Sequence, residues 1–140
     1  MKRAVGGPDN RAMRSLLAVL AFALLAGCAS GLRRPVVAAQ AEPDASGVQR
    51  LTVEMHSYYF VPNRIQVRAG HPVELRLENK ALLVPHNFTI EQQELSVSGG
   101  SWLGSARVRF TPTTPGAYEF FCHVDSHAKK GMTGTLVVTP

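Results

Sequence analysis

Cysteine is scarce in this chain of 140 residues: there are only Cys28 and Cys122. They stand too far apart to form a CxxC pair, which excludes a zinc knuckle, an iron–sulfur cluster and a redox dithiol. Long apolar runs are also missing. The strongest, residues 16–25, falls short of the roughly 20 residues that a membrane-crossing helix needs. Excess charge is modest as well. Of the formal +5, the first 27 residues hold +3 (Lys2, Arg3, Arg11 and Arg14 against Asp9), leaving +2 for the rest. That is too little for a nucleic-acid footprint, so no nucleic-acid partner is expected. Length allows one ordinary domain, which excludes a multidomain enzyme. With 45% apolar and 18% charged residues, the chain has enough to bury that it should fold.

The apolar run follows Arg11 and Arg14 and has the length of a signal-peptide core. Met13-Arg14-Ser15 followed by the run is already a complete signal, so Met13 is an alternative start to Met1. The run ends in Leu25-Ala26-Gly27-Cys28, which resembles the bacterial lipobox. That resemblance implies cleavage before Cys28 and acylation of its thiol; an ordinary secretory signal with an incidental cysteine would also export the protein. Residues 1–27 are thus read as a lipoprotein signal peptide. Residues 28–48, rich in Ala, Gly, Ser and Pro and without periodicity, are read as a flexible linker carrying the lipidated Cys28. The expected location is the bacterial cell envelope, facing the periplasm and lipid-anchored to a membrane.

From residue 49 the period changes to two. Leu51, Val53 and Met55 alternate with polar neighbours, as do Ile65 and Val67; Val73, Leu75 and Leu77 against Glu74, Arg76 and Glu78 give the clearest strand. Further strands are predicted at 87–91, 106–110, 117–122 and 133–139. Seven short strands in about 90 residues predict an all-β sandwich over 49–140. Residues 92–104, around Trp102, match no template and are read as an irregular flap.

Chemistry is concentrated near the C-terminal end. Strand parity in Tyr118-Glu119-Phe120-Phe121-Cys122 points Tyr118, Phe120 and Cys122 to one face. The loop that follows carries His127 and Met132, four residues intervening on each side of His127, and His86 opens an earlier strand. Two imidazoles and one thiolate make a trigonal set, with a thioether as weak axial donor, a combination that suits copper cycling between two oxidation states. Zinc would ask for a fourth strong donor. Taken singly, Cys122 reads as a small buried hydrophobe, either histidine as a loop residue and Met132 as core filling; together they read as a site. His56 and His71 have no ligand-like context, and His123 is read as solvent-facing.

On these residues the region from Leu51 to Thr139 resembles the cupredoxin family (plastocyanin and azurin) of type 1 blue copper proteins. Pro85-His86-Asn87 is similar to the family's first-ligand motif, and Pro115-Gly116-Ala117-Tyr118-Glu119-Phe120-Phe121-Cys122 with His127 and Met132 to its ligand loop. Tyr59-Phe60-Val61-Pro62-Asn63-Arg64-Ile65-Gln66-Val67 and Ala69-Gly70 resemble the opening strands. The resemblance implies a Greek-key β-sandwich and one copper ion, with His86, Cys122 and His127 equatorial and Met132 axial. It also implies that Asn87 ties the two ligand loops together in the second shell, and that one edge of His127 lies near the surface, beside Ala128 and the Leu82-Leu83-Val84-Pro85 turn. Plastocyanins are shorter between Cys and His, and azurins between His and Met.

A filled mononuclear site leaves no open position for a substrate, so no enzyme is expected. The binuclear centre of cytochrome oxidase subunits needs two bridging cysteines, and this loop has one. The expected function is that of a monomeric, membrane-tethered one-electron carrier between redox protein partners, with Lys129 and Lys130 steering an acidic partner. The alternative is a module that buffers or delivers copper; a recognition domain that has kept only the fold is a third.

Overall fold

Alternation of apolar and polar side chains decides most of the strands, and the paired ends decide the rest. The structure is a computed structural model that describes residues 34–99 and 104–140, of which Val36–Pro140 group as one unit. The expected signal peptide at 1–27, the lipidation site Cys28 and Trp102 lie outside the described residues.

The described residues form ten strands in two sheets. They are β1 (Ala38–Gln40), β2 (Gln49–His56), β3 (Tyr59–Val61), β4 (Arg64–Arg68), β5 (Val73–Asn79), β6 (Asn87–Ile90), β7 (Leu95–Ser98), β8 (Ser105–Phe110), β9 (Gly116–Phe121) and β10 (Thr133–Thr139). Two single 3-10 turns, Glu91–Gln93 and Ala128–Lys130, complete the described elements. One sheet has the order β1-β4-β10-β9-β6-β7, the other β3-β2-β5-β8. In β5, Val73, Leu75 and Leu77 are buried while Arg76 is exposed; Leu75 and Leu77 face Leu51 and Val53 of β2 on one side and Val108 and Ala106 of β8 on the other. The period of two thus buries one face of the four-stranded sheet.

The core joins the sheets through three rings. Phe60 of β3 meets Phe88 of β6 edge-on at 5.8 Å and Phe120 of β9 at 5.2 Å, and Phe88 stacks on Phe120 at 4.7 Å. Such ring pairs add about 0.5–1.5 kcal/mol beyond the area they bury. Room for Phe120 comes from its cross-strand partner Gly134: a Cβ there would collide with the Phe120 ring and with the Asn63 carbonyl. At the opposite end, the buried Gln49 amide bridges the sheets. Its Nε2 donates to the Arg68 and His71 carbonyls at 3.0 and 3.3 Å, and its Oε1 accepts from the Arg68 amide at 2.6 Å.

Periodicity predicts seven strands and the described residues hold three more, of which only β3 falls on residues that the family resemblance picks out. β1 lies inside the stretch 28–48 read as flexible linker, so the folded unit starts at Val36 rather than at 49. Its three residues have no apolar alternation; parallel pairing with β4 orders them, together with the Val37 amide donating to Asn63 Oδ1 at 2.8 Å. β3 is a three-residue return onto β2. β7 lies within the stretch 92–104 read as irregular, where Leu95 and Val97 alternate with Ser96 and Ser98 and pair with β6.

Candidate metal centre

His86, Cys122 and His127 are all buried and offer donor atoms within 4.8 Å of one another. The Cys122 sulfur lies 3.4 Å from His127 Nδ1 and 3.9 Å from His86 Nδ1. Among the described residues no other His, Cys, Asp or Glu joins this cluster. Met132 is fully buried and stands across from Cys122, whose amide donates to the Met132 carbonyl at 3.1 Å.

Each donor is held by its local backbone. Cys122 follows the last residue of β9, and because Phe120 points into the core, so does Cys122. His86 precedes β6, and the Gly99 amide donates to its carbonyl at 3.0 Å. A Cβ at Gly99 would meet the end of the Met55 side chain, which would have to shift to make room. The segment between Cys122 and Met132 is a sequence of tight turns. His127 donates its amide to Val124, Gly131 to Ala128 and Met132 back to the His127 carbonyl, at 3.0, 2.9 and 3.1 Å. Gly131 closes the 3-10 turn at φ 96°, a left-handed conformation that favours glycine.

Asn87 links the two ligand segments. Its amide donates toward the Cys122 sulfur at 3.5 Å, and its Oδ1 accepts from the His123 amide at 2.7 Å. Asn79, which sequence reasoning passed over, performs a similar task one turn earlier. Buried at the end of β5, it donates from Nδ2 to the Val84 carbonyl and accepts at Oδ1 from the Ala81 amide, both at 2.9 Å. The turn leading to His86 is thereby fixed from the core side. Asparagine after an apolar alternation was the available signal, because an inward polar side chain needs partners.

Electrostatics keep both imidazoles ready to bind a cation. Burial, then the neighbouring His127 and His56, push His86 down to about 4. His127 is also lowered, by burial and by Lys130, with Asp125 opposing. At neutral pH both rings are neutral, which is the form that ligates metal. The Nε2 atom of His86 finds no hydrogen-bond partner among the described residues, while its Nδ1 is the atom that faces the Cys122 sulfur.

At the surface side of the centre, His127 is 4% exposed, in a loop whose Asp125, Lys129 and Lys130 are open to solvent. Tyr58, from the turn between β2 and β3, lies over it with ring centroids 4.6 Å apart. Leu82 and Leu83 are exposed, at 64% and 58%; His71 and His123 are exposed too. His56 stacks on Tyr59 and meets Glu54 Oε2 at 2.9 Å, and it is not a member of the donor cluster.

Two imidazoles, one thiol and a buried methionine fit one type 1 copper ion better than zinc, for which a fourth strong donor is missing. Comparisons with known proteins agree in fold. A family model described as a cupredoxin-like domain matches residues 16–138. The chain is similar to the metal-binding domain of the Cu(I)-exporting P-type ATPase of Streptococcus pneumoniae D39, solved with Cu(I): 20% identity over 76% of this chain and 100% of that one, TM-score 0.62. It is similar also to dithionite-reduced auracyanin from Roseiflexus castenholzii, 20% identical over 69% of this chain and 100% of that one, TM-score 0.58. Reduced rusticyanin is 18% identical over 86% and 95% of the two chains, TM-score 0.59. No curated protein matches the sequence significantly.

Proposed function

Since the chain belongs to the family of cupredoxin-like domains, we propose that it is a one-electron carrier rather than an enzyme, tethered by a lipid at Cys28 on the periplasmic side of a bacterial membrane. The observation that carries this reading is the buried cluster of His86, Cys122 and His127, with both Nδ1 atoms turned toward one sulfur. In this reading those three side chains would hold the ion, with Met132 as a fourth, weaker donor.

Bound copper supplies a couple between Cu(II) and Cu(I) that takes up and returns one electron. What the chain contributes is constancy of the donor positions. Asn87 bonds the His86 segment to the Cys122 segment, and the turns from Val124 to Met132 are closed on themselves by backbone hydrogen bonds. Little of this frame can shift when the charge at its centre changes, which keeps reorganisation small. Burial of all four side chains excludes water and leaves no position for a substrate.

A redox partner would dock on the Leu82–Leu83 turn. Both leucines are exposed next to the His86 segment, and Leu83 is held at φ 64°, a left-handed conformation that costs a leucine about 1–2 kcal/mol. The Asn79 side chain bonds on either side of that residue hold it there. Lys129 and Lys130, exposed in the ligand loop, add a charge that favours an acidic partner.

The test is the absorption spectrum of the Cu(II)-loaded protein with confirmed stoichiometry. An intense blue thiolate-to-copper band, absent in Cys122→Ser, is expected; a colourless wild type overturns the type 1 assignment. Reversible one-electron cycling without metal loss distinguishes a carrier from a module that hands Cu(I) to an acceptor.

A further inference from the structure

His127 sits in an exposed loop, with Asp125, Lys129 and Lys130 all open to solvent around it, yet it is itself buried. What covers it comes from elsewhere in the chain. The Tyr58 ring packs against the His127 ring at 4.6 Å with an interplanar angle of 53°, and meets the His86 ring edge-on at 6.4 Å. The two imidazoles are 5.1 Å apart, so tyrosine and both donors form one aromatic cluster. Tyr58 is half-buried, and Lys130 reaches back from the ligand loop to set its ammonium 4.1 Å from the Tyr58 centroid.

We infer that Tyr58 is the lid of the metal centre: a positioning residue whose ring holds the His127 imidazole in place and bars its solvent side, with Lys130 as the latch that keeps the lid shut. The lid role rests on the copper reading above only for its consequence, which is that a Cu(I) ion leaves or enters by displacing Tyr58. The latch is a cation–π contact and the seat is a ring–ring contact, both modest and both reversible. Exchange of the ion is therefore slowed rather than blocked. Both contacts are made by the ring, so a phenylalanine at this position should keep them.

The experiment compares full-length wild type with Tyr58→Phe, Tyr58→Ala and Lys130→Ala in two readouts. In the metal-free protein, diethyl pyrocarbonate modifies accessible imidazole nitrogens, and peptide mapping by mass spectrometry gives the rate at His127, with exposed His71 as internal reference. Loss of one ring contact and its latch should speed modification of His127 about tenfold in Tyr58→Ala and about twofold in Lys130→Ala, with Tyr58→Phe at the wild-type rate. In the Cu(I)-loaded protein, loss of the ion to an excess of bathocuproine disulfonate should follow the same order while the His71 rate stays constant. A wild-type rate at His127 in Tyr58→Ala, or a Tyr58→Phe variant as open as Tyr58→Ala, overturns the proposal. If Tyr58→Ala does not fold, an unchanged His127 rate in Lys130→Ala overturns it alone, because that exposed side chain leaves the core untouched. A protein that binds no copper fails the functional reading but leaves the first readout intact, so the two failures are separable.

Discussion

Met132 faces Cys122 across the end of the β9–β10 ladder: the Cys122 amide donates to the Met132 carbonyl one step beyond the paired residues Phe121 and Thr133. Side chains opposite each other in such a ladder share a face, so sulfur from both residues belongs to the buried side. Met132→Leu should preserve the blue colour, since the three strong donors remain, and should raise the reduction potential because loss of a thioether disfavours Cu(II). The swap conserves volume and should cost less than about 1.5 kcal/mol of stability. Voltammetry with an unchanged potential would mean that Met132 is not a ligand.

Gly134 is the reason that Phe120 fits. Because a Cβ at Gly134 would strike the Phe120 ring, Gly134→Ala should destabilise the protein by about 1–3 kcal/mol through overpacking. The pair should couple: in a Phe120→Leu background the alanine should cost measurably less. Urea unfolding of the four proteins gives the coupling, and strict additivity would sink the explanation.

Acid should destabilise the metal-free protein in a defined window. His86 is pushed down to about 4 in the folded chain against 6.5 when free, so between those values the unfolded chain binds a proton that the folded one does not. Stability is then full above about pH 6.5 and falls as pH drops toward 4, by at most about 3 kcal/mol from this residue. His127, also lowered by burial, adds in the same direction. Urea midpoints of the metal-free protein at pH 7.5 and 4.5 check this; His86→Gln should flatten the slope.

Asn79 should be worth more than its position suggests. Asn79→Ala leaves the Val84 carbonyl and the Ala81 amide without their side-chain partner, a loss of about 1–3 kcal/mol. Since these bonds flank Leu83, the variant should also weaken copper retention, measured by competition with a chelator. Equal retention would show that the turn holds His86 without Asn79.

Cys28→Ser should release a protein that is still blue. Cys28 ends the apolar run of the signal segment, and Cys122 is buried with its sulfur facing two imidazoles. Membrane fractionation reports the tether and the spectrum reports the metal; loss of colour in this variant would contradict the separation of the two cysteines.

What the sequence made legible follows the range of the interactions. β5 could be read because Val73, Leu75 and Leu77 carry their own alternation, and the donor cluster because Cys122, His127 and Met132 sit at short spacing after a strand of clear parity. β1 was hidden because Ala38–Gln40 has no pattern of its own and owes its order to β4. β7 alternates for only four residues between a 3-10 turn and Gly99, too short a signal to stand alone. The cover over His127 was hidden for the same reason. Tyr58 is distant in sequence, and nothing next to it in the chain marks a residue that lies over a histidine.

The position of β10 has a bearing on how the molecule comes into being. This strand follows every other described strand in the chain, yet it sits between β4 and β9 inside the six-stranded sheet. Until it is added, β1 and β4 share no strand pairing with β9, β6 and β7, and Met132, which leads into it, has no fixed place opposite Cys122. Most pairings that matter are long-range, a topology that folds slowly because loops must close before contacts reward them. A growing or truncated chain therefore cannot assemble the donor set piecemeal. Copper capture becomes a late event, dependent on the whole sheet, and a chain lacking β10 would offer a thiol without the enclosure that protects it.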